Sequence, residues 1–232
     1  MPHDTSVTRL RRAQLARSTR AFVARGSRLS RCDHCLLASS HCVCGQRPQV
    51  GADCAFLFLM YQGEVFKPSN TGRLIADVVA DNYAWQWSRT EHDDSLLALL
   101  ADEAYAPVVV FPHEYAEVER CISTPQQLPG VAEGRRKPLF IMLDGTWREA
   151  RKMFRSEYLR HLPVLGIQPQ QASDYRLREA FHDHQLCTAE VGMEVLRLNG
   201  DHQAADALHA YFVLFRQQYL ATKANRGPVN TD

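Results

Sequence analysis

Acidic side chains are almost missing from the first 31 residues, where Asp4 stands alone against eight arginines. That segment carries +7, so the overall charge of +1 leaves −6 for the rest of the chain. A basic leader on a mildly acidic body points to a local polyanion contact. Arginine in particular suits phosphate forks and base stacking; a solvated leader with no partner is the plainer reading. Long apolar runs are missing as well. The longest are strand-length, which excludes a membrane-spanning helix, and the arginine-rich start lacks the apolar segment of a signal peptide. There is no internal repeat and no low-complexity tract. Seven cysteines, an odd number, do not make a closed disulfide framework. What the chain does have is 232 residues with 45% hydrophobic content, enough for one substantial core and a small appendage.

Four of the cysteines fall within thirteen residues: Cys32, Cys35, Cys42 and Cys44. Four soft thiolates this close suit a tetrahedral, structural zinc. An iron–sulfur cluster would use the same ligands, and four unrelated cysteines is the bland alternative. His34 and His41 lie inside the cluster and are expected to point outward. Flanking Arg31 and Arg47 fit a knuckle that faces RNA. Cys54, Cys121 and Cys187 are scattered in apolar or mixed surroundings, as buried free thiols are. A thiol cluster of this kind favours a cytoplasmic location over an organelle leader.

Apolar runs at 53–61, 107–111 and 139–143 read as buried strands, with shorter strands at 83–87 and 164–167. Helices are expected behind Asn70, with Leu74, Ile75, Val78 and Val79 on the apolar face, behind Asp93 or Asp94 to about residue 104, and at 188–198 and 201–222. Residues 123–137 read as a flexible loop, and 175–180 have no clear type. The alternation predicts an α/β fold, a mostly parallel sheet covered by helices on both faces. The domain plan is a basic arm at 1–31, a four-cysteine knuckle at 32–48, an α/β catalytic domain at 49–222 and a disordered tail at 223–232.

The turn Asp144-Gly145-Thr146-Trp147 follows the apolar run 138–143 and precedes the basic, helix-prone stretch 148–155. In an open α/β sheet, ligands bind outside the carboxyl ends of the strands. A carboxylate, a hydroxyl and an indole held there beside arginines are placed to do chemistry on a nucleobase. Asp144 or Thr146 as a simple helix cap is the alternative. Residues 67–73 (KPSNTGR) enter a helix N-terminus, where free N–H groups favour anions. That stretch reads either as a phosphate or carboxylate site or as ordinary capping by Asn70. Arg176 and Arg178 face one side if extended, for gripping phosphate or bridging to surface acids. Thr188, with Glu190 in the first turn, reads as a helix cap. Trp147 stacks on a base or packs beneath the loop.

Cys-x2-Cys-x6-Cys-x-Cys, KPSNTGRL (67–74), WQWSRT (85–90), VVVFP (108–112), LDGTW (143–147), YRLRE (175–179) and CTAEV (187–191) occur in that order. By these motifs the chain resembles the DTW-domain family of bacterial tRNA-uridine aminocarboxypropyltransferases, from about Arg17 to Leu220. The resemblance implies transfer of the 3-amino-3-carboxypropyl group of S-adenosylmethionine to N3 of uridine at tRNA position 47, releasing 5′-methylthioadenosine. It also implies a SPOUT-like fold whose C-terminal part is knotted. Asp144, Thr146 and Trp147 are then the expected catalytic residues. Phe111, Pro112, Leu143, Gly145, Thr146, Tyr175, Arg176, Leu177, Thr188 and Ala189 are expected around S-adenosylmethionine. Arg17, Arg20, Arg25, Arg28, Lys67, Ser69, Asn70, Arg73, Arg148, Lys152 and Arg178 are expected on tRNA, and a monomer is expected to act. Two rival readings stay open: an RNA methyltransferase on the same scaffold, and a zinc-knuckle RNA-binding protein without catalysis.

Overall fold

The computed structural model describes residues 4–18, 29–91, 93–167 and 186–224. Helix α1 is Ser6–Arg17. Strand β1 (Ala55–Met60) leads to α2 (Gly72–Val78), β2 (Asn82–Gln86), α3 (Asp94–Ala101) and β3 (Tyr105–Val110). Then come β4 (Cys121–Ile122), β5 (Lys137–Asp144), α4 (Trp147–Phe154) and β6 (Val164–Leu165), and the chain closes with α5 (Thr188–Asn199) and α6 (His202–Lys223). One six-stranded sheet has the order β2-β1-β5-β3-β6-β4, with every pairing parallel.

Strand β1 shows why the sheet is two-faced. Its run AFLFLM has no polar residue, and all six residues are buried. That is the signature of a parallel strand covered on both sides. Successive side chains alternate between faces. Phe56, Phe58 and Met60 join Phe140 and Met142 of β5 in a core closed by α2, α5 and α6. Leu57 and Leu59 join Leu139 and Ile141 in a second core closed by Leu96 of α3 and by Ala150, Met153 and Phe154 of α4. Each such side chain contributes about 1.5–3 kcal/mol by leaving water. Helix α5 presses close to α2 at Gly192, where an added Cβ would sit 2.5 Å from Ile75 Cδ1.

Some expectations shift. The strand expected at 83–87 runs Asn82–Gln86, and the one at 164–167 is only Val164–Leu165. Asp93 is the cap of α3, its carboxylate accepting from Ser95 N at 2.9 Å. The stretch read as a flexible loop is built of turns: Gln127 Oε1 accepts from Ser123 N and Thr124 N at 2.7 and 2.9 Å, and Lys137 already belongs to β5. The basic leader is docked over its first turns. Val7 and Arg11 are buried, and Ser6 N donates to Asn82 Oδ1 at 3.0 Å where β2 begins. The expected knot concerns the path of 168–185, which lie outside the described residues. No helix among the described residues is long and apolar enough to cross a membrane.

Candidate functional site

Parallel strands bring all their carboxyl ends to one edge of the sheet. Asp144, the last residue of β5, is buried there at 3% exposure. Asn70 Nδ2 donates to its Oδ2 at 2.7 Å, and Thr188 Oγ1 donates to its Oδ1 at 3.0 Å. The carboxylate therefore ties together the end of β5, the loop before α2 and the first residue of α5. Helix α2 comes so near that a Cβ at Gly72 would lie 2.4 Å from Asp144 Oδ2, so only glycine fits. Ala189 N adds a bond to Thr71 Oγ1 at 3.2 Å. Thr188 is thus not the cap it was expected to be. Cys187 holds that position, and its N–H is taken by Glu190 Oε2 at 2.8 Å. Burial pushes the Cys187 thiol well above its ordinary range, so it stays protonated.

The loop 67–73 has an interior rather than a surface role over much of its length. Glu64 is buried and receives Lys67 Nζ, as well as Asn70 Nδ2 at 3.3 Å. Arg73, expected on RNA, is buried instead. Its Nε donates to Asn70 O at 2.9 Å, its Nη1 to Cys35 O at 2.8 Å and its Nη2 to Lys67 O. Burial pulls its guanidinium down to about 10, still charged at neutral pH. Asn70, also expected on RNA, is 2% exposed and faces Asp144. The lysine, expected free for an anion, is paired with Glu64, and Ser69 is half-buried.

Arg73 also leads to the cysteine knuckle. The four Sγ atoms lie within 4.8 Å of one another, with Cys32–Cys44 at 3.7 Å and Cys35–Cys42 at 3.9 Å. A tetrahedral ion with Zn–S bonds of about 2.3 Å puts its sulfurs about 3.8 Å apart, so the set fits zinc as it stands. The turn that presents the first pair passes through Leu36 at φ 60, with Leu36 N bonded to Cys32 O at 3.0 Å. The crowded thiols shift one another, with Cys44 driving the Cys35 thiol down and Cys35 driving the Cys44 thiol up. His41, expected outward, is buried. Arg47 reaches Cys44 Sγ at 3.7 Å and forms an ion pair with Asp77 at 3.1 Å, and Tyr211 OH donates to the same carboxylate at 3.2 Å. Burial pushes Asp77 up to about 6. The knuckle is thereby fastened to α2, to α6 and, through Arg73, to the loop that holds Asp144.

On the other side of Asp144, Thr146 caps α4. Its Oγ1 accepts from Glu149 N at 3.4 Å, and Glu149 Oε2 accepts from Thr146 N and Oγ1 at 2.7 Å each. This is a capping box. Trp147 follows at 38% exposure and stacks on Phe111, with centroids 5.3 Å apart and planes 9° apart. Phe111 stacks in turn on Phe154 at 4.4 Å, and Tyr115 meets Trp147 edge-on at 5.4 Å. Arg151 lies over Tyr115 at 5.8 Å and Lys152 over Tyr61 at 6.0 Å.

Of the stretches expected around S-adenosylmethionine, three meet. Phe111-Pro112 follows β3, Leu143 to Thr146 spans the end of the neighbouring β5, and Thr188-Ala189 reaches them through Asp144 and Thr71. Tyr175, Arg176, Leu177 and Arg178 lie outside the described residues, as do Arg20, Arg25 and Arg28. Arg17 ends α1, and Arg148 and Lys152 stand exposed on α4. Glu64, Tyr115 and Arg151 were not legible from the sequence, since their contacts come from loops far apart in the chain. An α/β domain with a buried carboxylate clamped at a strand end and a four-thiolate knuckle behind it is the class this site defines. The DTW domain matches residues 29–220, and the chain belongs to the DTW domain family, a family of tRNA-modifying enzymes. No solved structure matches.

Proposed function

We propose that this protein transfers the 3-amino-3-carboxypropyl group of S-adenosylmethionine to N3 of a uridine in tRNA, position 47 being the expected target, with zinc held by the four cysteines. The reading rests on membership of the DTW domain family joined to one observation, the clamped carboxylate of Asp144 at the carboxyl end of β5. Bound S-adenosylmethionine supplies a sulfonium-activated Cγ methylene and leaves as 5′-methylthioadenosine. Uridine N3 is a poor nucleophile until its proton is removed, and Asp144 is the acceptor proposed for that proton. Asn70 and Thr188 fix its orientation, which keeps the acceptor aimed as the substrate arrives. Backbone at 111–112, 143–146 and 188–189 forms the proposed adenosine cradle.

A second reading of Asp144 has its own support. Two donors and the close approach of Gly72 suit a tie that holds α2 and α5 at the sheet edge. Asp144→Asn separates the two. If the carboxylate takes the proton, single-turnover rate falls by roughly two to four orders of magnitude while calorimetric S-adenosylmethionine affinity and thermal stability persist. A tie predicts a lower melting temperature and weakened cofactor binding instead. The reaction itself is tested by the nucleoside by-product after incubation with tRNA. S-Adenosylhomocysteine in place of 5′-methylthioadenosine would make the protein a methyltransferase.

A further inference from the structure

Helix α4 and the residue that caps its C-terminus carry four exposed cations, Arg148, Arg151, Lys152 and Arg155. The helix has one acid, Glu149, and the capping box uses it. Beside these cations Phe154, Phe111 and Trp147 form a column of near-parallel rings, with interplanar angles of 16° and 9°. Tyr115 packs edge-on against both Phe111 and Trp147, at 5.5 and 5.4 Å, so it stands beside the column rather than on its end. The indole is the terminal ring, and it is 38% exposed.

An open aromatic face among cations is how proteins hold unpaired nucleotides. Bases stack on the ring and phosphates meet the charges. We propose that Trp147 and Tyr115, with Arg148 and Arg151, form a subsite for an unpaired base of the RNA substrate. The proposal rests on the tRNA-modifying reading and adds the part of the surface that reads the strand beside the target. The adenine of S-adenosylmethionine is the other flat ring to consider. That molecule carries a net positive charge, from its sulfonium and ammonium against one carboxylate, so the α4 cations repel it while they attract a polyanion.

The test uses the full chain, a short uridine-rich single-stranded RNA and S-adenosylmethionine as separate probes. RNA quenches tryptophan fluorescence in the wild type. Trp147→Phe removes that component and keeps affinity within a few fold, and Trp147→Ala weakens RNA binding by roughly tenfold. Arg151→Ala lowers the slope of log K against log salt by about 0.7, and calorimetric S-adenosylmethionine affinity stays unchanged in all three variants. Tyr115→Ala, farther from the helix cap, repeats the test if Trp147→Ala folds poorly. Lost cofactor affinity with unchanged RNA binding would overturn the proposal and assign the ring to adenine. Unchanged binding of both probes would reduce the column to packing. A wild type that binds no RNA would remove the tRNA reading itself, and this proposal with it.

Discussion

Helices α2 and α4 begin on nearly the same three residues. Thr71-Gly72-Arg73 opens one after the loop that follows β1, Thr146-Trp147-Arg148 opens the other just past the end of β5, and the two strands are neighbours. The outcomes are opposite. Arg73 is buried and spends its guanidinium on three backbone carbonyls, whereas Arg148 stands in solvent. Thr71 accepts from Ala189 of α5, a helix far away in the chain but packed against it, whereas Thr146 caps its own helix. The residue between decides much of this. Gly72 lets α2 sink onto Asp144, and Trp147 is too large to follow. The two helices also lie on opposite faces of the sheet. On the knuckle face arginine is a frame member, and on the α4 face it is a surface charge.

The comparison breaks most visibly at the knuckle. Structural zinc is worth about 10 kcal/mol or more to the segment it folds. Cys35→Ser should therefore abolish metal binding and most soluble protein, and with it the carbonyl that Arg73 holds. Metal analysis of the wild type should give one zinc per chain; iron with sulfide would make the knuckle a cluster site instead. Arg73→Met comes next. It strands three carbonyls in the interior, so stability should fall by about 3 kcal/mol or more in urea titration. The salt dependence of RNA binding should not change. A flattened salt slope with normal stability would place Arg73 on the RNA after all.

Much of this was legible in the sequence. An uninterrupted AFLFLM run has no choice but a two-sided strand. LDGTW could be read as a strand end with a carboxylate on it, because the apolar run stops there. The cysteine spacing pointed to four thiols within reach of one metal ion, and the fold brings them within 4.8 Å of one another. Burial of individual polar side chains was not legible. KPSNTGR contains every residue type an anion site wants, yet the buried Glu64, three residues before its lysine, already pairs with that lysine. Nor could the sequence tell that Cys35 O lies where Arg73 ends, because 38 residues separate them. Local pattern set which elements form; which face each cation meets was set by long-range packing.

Arg148→Ala probes the exposed side of the comparison. Arg148 sits in the first turn of α4, but its side chain stands in solvent and takes no part in the capping box, so stability should change by no more than about 0.5 kcal/mol. RNA affinity should fall several-fold at low salt, with the salt slope lower by about 0.7 for one lost phosphate contact. This is the reverse of the Arg73 result in both measurements. If the variant melts early and binds normally, the two arginines share a role and the contrast fails.

The smallest effect on binding or turnover is expected at Thr146, and it decides between two readings of the turn. As a cap, Thr146 satisfies Glu149 N and anchors the Glu149 carboxylate. Thr146→Ala should then lower stability by about 1 kcal/mol, and Thr146→Asn should restore most of it, because asparagine caps as well as threonine. Turnover should stay within a few fold in both variants at a temperature where both are folded. A catalytic hydroxyl predicts something else: turnover down by roughly two orders of magnitude or more in both variants, with the asparagine variant as stable as wild type and just as inactive. The capping box uses the hydroxyl's proton and one of its two lone pairs, so the stability result is the expected one. Thermal melts and single-turnover rates on the same two proteins read out both possibilities.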